Sequence, residues 1–353
     1  MIIRKVIFTH FEFKEYYEYS PYFKVYRAPD NFKRPGSTIG HYPVILEFNF
    51  EEIKGKKGYT NFSYSLDSKN PIEDIKNNCG LPDKIDDDLA NDHLIYEKFL
   101  EYFYLLNALT NNTFIFYGYE QKWGISVFES KVENSAEWFQ AGYFTPRDFK
   151  WKEDGKIKFN DYYDFGFYPV LCTFDENNFP RNEVYLKDIF DVYFNLKDKW
   201  KKKIYNTFIL FSKALKIKSI DKSIYLVSLA SCIEGLMEIE KDLLKIKLNR
   251  CSCGGTIYKT TNRFKDFLKK YGLLYIEEEI LNNFYTYRCD IAHRGVLLSL
   301  SNQTFKFFIE DEKDIKRKNE EFTEDRMCDN YEKIVKTCFK TFLFFNKDIL
   351  CKK

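Results

Sequence analysis

The chain has 353 residues, 44% hydrophobic and 31% charged, a globular balance that excludes disordered and fibrous classes and leaves room for two domains. No apolar run approaches the ~20 residues of a spanning helix, since the nearest, 339–345, is interrupted by Lys340 and followed by Lys347. The net charge of +2 divides into about −7 for residues 1–190 and about +9 for 191–353, and residues 201–270 alone carry about +10. That stretch is basic enough to attract a polyanion, nucleic acid foremost; a solvated surface of mixed charge is the plainer reading.

Nine cysteines, odd in number and irregular in spacing, fit reduced thiols in a cytoplasm. Residues 1–8 read as a short charged strand and not as the apolar core of a signal peptide. Membrane association is not expected. The 36 Phe and 27 Tyr are assigned to packing, with a stacking platform for bases or sugars as the secondary reading.

Along the chain, 5–13, 42–50 and 59–66 read as strands, 113–118 and 123–128 as a hairpin, and 156–159 and 165–173 as further strands. One helix, 89–109, interrupts them; the acids Asp86, Asp87 and Asp88 at its start suit the helix dipole. From about residue 185 the apolar period becomes helical. A long helix is expected over 184–217. The next is capped by Asp221, with Ser223 as the second candidate, and later helices cover 262–271, 276–293 and 324–350. The expected class is α+β: a β-rich domain over 1–180, sandwich or half-barrel with an inserted helix, then an all-α bundle over 181–353. The boundary is placed between Asp175 and Tyr185.

The chemistry concentrates in YTYRCDIAHRG at 285–295, where Arg288 and His293 are separated by four residues. Histidine suits proton transfer near neutral pH, and the planar, permanently charged guanidinium suits phosphate. His293 taken alone reads as a histidine capping a helix end. The pair, however, resembles the R-x(4)-H signature of HEPN ribonucleases. Asp290, Ile291 and Ala292 resemble that family's polar-Ile-Ala step, and Arg294 with Gly295 ends the helix. Upstream, LASCIEGL at 229–236 is similar to the family's earlier helix, which carries an acidic residue, here Glu234. The two segments together resemble the Apea-like HEPN branch over roughly 221–350. Cys289 departs from the pattern: many members have an amide or acid directly after the Arg, and Asp290 stands in for that polar function.

The resemblance implies an HEPN bundle acting as a metal-independent endoribonuclease, an abortive anti-phage effector cleaving RNA, tRNA included, with no cofactor. Arg288 and His293 are then catalytic, Glu234 and Asp290 supporting, and Arg294 and Tyr287 substrate-binding. Glu234 also reads as an ordinary salt-bridge partner beside an apolar stripe. The family further implies a homodimer whose two motifs line one cleft, and the N-terminal domain becomes the place for a phage-derived trigger. Five residues of ideal α-helix turn through about 500°, leaving Arg288 and His293 roughly 140° apart. A bend, the reach of the Arg, or the second copy has to bring them together.

Cys251 and Cys253 form half a zinc knuckle with no second paired motif, so a turn with two free thiols is favoured over a metal site. The competing functional classes are a non-catalytic HEPN module binding RNA or a partner protein, and a carbohydrate- or peptide-binding β-domain with a helical dimerisation tail.

Overall fold

The computed structural model describes residues 2–9, 13, 16–28, 42–53, 87–116, 136–138, 144–146, 171–174, 180–184, 186–246, 260–272, 278–295, 298 and 312–351. By their contacts they form two units, 1–106 with 112–168 and 107–111 with 169–353. The class is mixed α+β.

In the first unit, β1 (Ile2–Thr9), β2 (Tyr16–Tyr19), β3 (Phe23–Arg27), β4 (Tyr42–Asn49) and β5 (Phe114–Ile115) form a curled antiparallel half-barrel in the order β2-β3-β4-β1-β5. A short α1 (Phe50–Ile53) ends β4, and α2 (Asp87–Leu109) is the helix expected between strands. The β4 register on β1 (Ile7 opposite Val44, Lys5 opposite Leu46) and on β3 (Val25 opposite Leu46) puts Ile7, Val44, Leu46 and Val25 into one buried layer. Tyr102 of α2 seals it, its ring 5.2 Å from Phe23 and edge-on to Phe48 at 5.5 Å. Such aromatic contacts add about 0.5–1.5 kcal/mol beyond burial. The β2–β3 hairpin was not legible in the sequence, because the run from 16 to 27 mixes Glu, Lys and Arg among its tyrosines. Residues 114–115 pair with β1; residues 59–66, 123–128 and 156–159 lie outside the described residues. Two small antiparallel pairs complete the strands among the described residues: β6 (Ala136–Trp138) with β7 (Phe144–Pro146) in this unit, and β8 (Leu171–Phe174) with β9 (Pro180–Val184) in the second.

The helices of the second unit are α3 (Leu186–Phe194), α4 (Asp198–Ile217), α5 (Lys222–Leu244), α6 (Thr260–Tyr271), α7 (Glu278–Cys289), α8 (Glu312–Phe345) and α9 (Lys347–Leu350). The single helix expected over 184–217 is two. Asn195 turns its side-chain amide back onto the Asp191 carbonyl, Leu196 bridges to Cys351, and the Lys197 N–H donates to Leu350. Tertiary partners take over the backbone groups at the break, and helical periodicity in the sequence does not register them. Asp221 caps α5 as expected, accepting from the Ile224 N–H at 2.9 Å.

The core lies around α5, which packs against α4, α6, α7 and α8. Tyr225, Leu226, Leu229, Ile233, Leu236 and Met237 are buried along its apolar stripe. Phe339 of α8 meets Phe208 and Phe211 of α4 edge-on at 5.0 and 5.4 Å. Truncating so central a ring costs about 3–5 kcal/mol.

Candidate functional site

Two elements bring the site together. Glu234 lies next to the stripe of α5, where its neighbour Ile233 is fully buried and its own carboxylate keeps partial exposure. Helix α7 is fixed by Phe284, stacked on Tyr331 of α8 at 4.1 Å and 10° and edge-on to Phe264 of α6 at 5.5 Å. That clamp orients the end of α7, where Arg288 leaves toward α5.

After Cys289 the helix widens into a π turn, Asp290–Arg294. Gly295, left-handed at φ 67°, closes it by donating its N–H to the Asp290 carbonyl five residues back. In a π turn the backbone bonds run i to i+5, so side chains five apart become neighbours. The geometric objection raised by the sequence is thereby met inside one chain: Arg288 Nη1 lies 2.8 Å from His293 Nε2. Its other terminal nitrogen, Nη2, sits 3.0 and 3.2 Å from the two Glu234 oxygens. The guanidinium carbon lies 5.9 Å from the Tyr285 ring centroid, in cation–π range, and Nε is buried with no hydrogen-bond partner.

The protonation state follows from donor chemistry. A guanidinium has five N–H donors and no acceptor. At 2.8 Å His293 must therefore accept at Nε2, which makes the imidazole neutral with its proton on Nδ1. Partial burial works against the charge on Arg288, but Glu234, Tyr285 and Cys289 more than offset it, and its pKa is raised. Burial, then the Cys289 thiol, pushes the Tyr285 hydroxyl up, while Thr261 and Arg288 oppose.

The structure brings Arg288, His293 and Glu234 together as a cluster. Asp290 goes elsewhere: it pairs with the largely exposed Arg294 at 3.0 Å along the same turn, and both of its polar ends serve the turn itself. Tyr287 lies near enough to Tyr331 to raise the latter's pKa, behind burial as the main cause. Tyr285, the ring under Arg288, was not singled out from the sequence. Its position three residues before Arg288 on a helix was the available signal. Cys251 and Cys253 lie outside the described residues; among those described, no group of three or more His, Cys, Asp or Glu is placed to hold a metal.

Part of the basic charge counted over 201–270 is taken up locally. Lys203 pairs with Asp242 at 2.6 Å, Lys241 with Glu238 at 2.6 Å and Lys270 with Glu240 at 2.6 Å, while Lys202 and Lys213 stand exposed. No helix among the described residues is long and apolar enough to cross a membrane.

Fold and site define a mixed α+β chain whose helical unit carries an Arg–His–Glu cluster assembled by a π turn. Comparison with protein-family models, with curated proteins and with solved structures finds no match for the chain.

Proposed function

We propose that the helical unit is an HEPN-type, metal-independent endoribonuclease acting as an abortive anti-phage effector. The observation that carries this reading is the Arg288–His293 contact at 2.8 Å, braced by Glu234. In the reaction, the ribose 2′-oxygen attacks the adjacent phosphorus, the O2′–P bond forms as the P–O5′ bond breaks, and a 2′,3′-cyclic phosphate and a 5′-hydroxyl result. His293 serves the proton transfers, and Arg288 faces the charge that develops on the phosphoryl oxygens. Glu234 holds the guanidinium in place. RNA, tRNA included, is the substrate, and the first unit receives the phage-derived trigger.

A homodimer belongs to the same proposal. On α5 the residues Ile224, Val227, Ser228 and Ser231 share a face with Glu234 at helical spacing, and Ile224 is 51% exposed. Ser228 and Ser231 turn their hydroxyls back onto the Ile224 and Val227 carbonyls, so the face offers little unsatisfied polarity to a second copy.

The test is cleavage of total cellular RNA, in EDTA, by wild type and His293→Ala, with end-group analysis. Cleavage by wild type only, leaving cyclic phosphate ends, supports the reading. Equal cleavage by the variant overturns it. If neither protein cleaves, with or without phage lysate, the second reading stands: a non-catalytic HEPN module that binds RNA or a partner protein. The neutral His293 resting against Arg288 is compatible with that role, because binding needs the guanidinium and not the imidazole.

A further inference from the structure

His293 presents a basic nitrogen that is already in use. The lone pair on Nε2 is held by Arg288 at 2.8 Å, and a proton acceptor occupied by a hydrogen bond cannot take a second proton from a substrate hydroxyl. Arg288 itself is divided: Nη2 is tied to Glu234, Nη1 to His293, and Nε is buried without a partner. Both ties have a charged donor, but only Glu234 answers it with a full negative charge, so the contact to a neutral imidazole is the weaker one. An anion arriving at the exposed edge of the cluster therefore competes with His293 for Nη1, and competes well, since it offers the guanidinium a full negative charge.

We infer that Arg288 guards His293, and that a phosphate group draws Nη1 away and so frees Nε2 to act as a base. The inference rests on the ribonuclease reading for its purpose, though its geometry does not depend on cleavage. It names the state in which the site waits. Neutral His293 is locked as the Nδ1–H tautomer, with its reactive nitrogen covered until the anionic group to be attacked is in place. Glu234 then has a definite part: by holding Nη2 it lets the guanidinium pivot without leaving, so that the same Arg covers the base and receives the phosphate. Order follows from this arrangement. A ribose hydroxyl that reaches the site without its phosphate finds the base covered, so only a properly seated phosphodiester is attacked.

The experiment is nitrogen NMR of the full chain with labelled histidine, at about pH 8.5, two units above an ordinary imidazole pKa of about 6.5. With four histidines in the sequence, His293→Ala identifies the His293 signals. Wild type without added anion is expected to show the Nδ1–H tautomer, with Nε2 shifted as a hydrogen-bond acceptor. Titration with inorganic phosphate is expected to move His293 toward the mixed tautomers of a free imidazole. Arg288→Met, which keeps an apolar stem against Tyr285 but removes every donor, is expected to show the free pattern at once and to ignore phosphate. If the His293 signals are the same in wild type and Arg288→Met, or if phosphate leaves the wild-type signals unmoved, the guard does not exist. Should Arg288→Met fail to fold, the wild-type titration decides alone. RNA cleavage enters none of these readouts, so loss of the ribonuclease reading and loss of the guard are separately visible.

Discussion

Glu234 and Arg288, 54 residues apart in sequence, form a two-point ion pair at 3.0 and 3.2 Å with side-chain exposures of 26% and 18%. A pair so placed is neither fully solvated nor fully buried. Removing the carboxylate leaves a mostly covered guanidinium without its counter-charge. Glu234→Ala is expected to cost about 1–3 kcal/mol, toward the lower end because water still reaches both groups. Thermal unfolding of the variant measures this. On the ribonuclease reading the displaced Arg288 also lowers cleavage roughly 100-fold, and Glu234→Gln, which still accepts one hydrogen bond, recovers part of it.

The buried network around Glu332 predicts an acid limb. Its carboxylate accepts from Tyr225 and Lys218, both at 2.8 Å, and faces Lys336 at 3.3 Å. Burial alone would raise its pKa, but Lys336 and Lys218 outweigh burial and bring it from 4.5 down to about 2. A carboxylate depressed in the folded state contributes stability that is full above pH 4.5 and lost as pH falls toward 2. The contribution is on the order of 3 kcal/mol. Denaturant titrations between those limits should show the gap between wild type and Glu332→Gln closing as the pH drops; a constant gap would refute the network's role.

Lys340 predicts a slope of the same sign at the other end of the scale. It is buried on α8 one turn beyond Lys336, with Asn111 Oδ1 at 3.1 Å from its ammonium. Burial and, after it, repulsion from Lys336 lower its pKa from 10.5 to about 7. The unfolded chain therefore binds more protons than the fold between those values, and stability rises with pH across that window. Lys340→Met should flatten the rise and be at least as stable as wild type at pH 7, because an apolar side chain carries no buried charge. Chemical denaturation from pH 7 to 10 tests both statements.

Two glycines near the site should respond in opposite directions. A Cβ on Gly235 would meet Thr207 Oγ1 at 3.4 Å and Cγ2 at 3.6 Å, ordinary contact distances, in the middle of α5. Gly235→Ala is expected to stabilise by about 0.5–1 kcal/mol through helix propensity. Gly295 has open space around it but a φ of 67°. Gly295→Ala is expected to cost about 1–2 kcal/mol and to loosen the π turn, and Gly295→Asn to recover much of the loss. Comparing the unfolding midpoints of the three variants checks the pattern.

Several parts of this fold were open to reading in one dimension. The helix over 87–109, the Asp221 cap and the buried stripe of α5 follow from local signals: acids at a helix start, a carboxylate that satisfies a free N–H, and apolar residues at three- and four-residue spacing. The break between α3 and α4 was not readable, since it depends on the C-terminal residues Leu350 and Cys351 folding back more than 150 positions to take up the backbone groups of Leu196 and Lys197.

For the site, the sequence by itself determined the cast: Arg288, His293 and Glu234 stand out because their chemistry is complementary and their segments resemble a known signature. It also determined the puzzle, because α-helical geometry places residues five apart on different faces. Tertiary structure decided the answer. Only the clamp of α7 on Tyr331 and Phe264 aims Arg288 at Glu234, and only the π turn closed by Gly295 carries His293 round to meet it. The turn itself closes locally, on the Gly295 N–H to Asp290 carbonyl bond, while the Phe284 stack and the Glu234 pair fix where Arg288 stands.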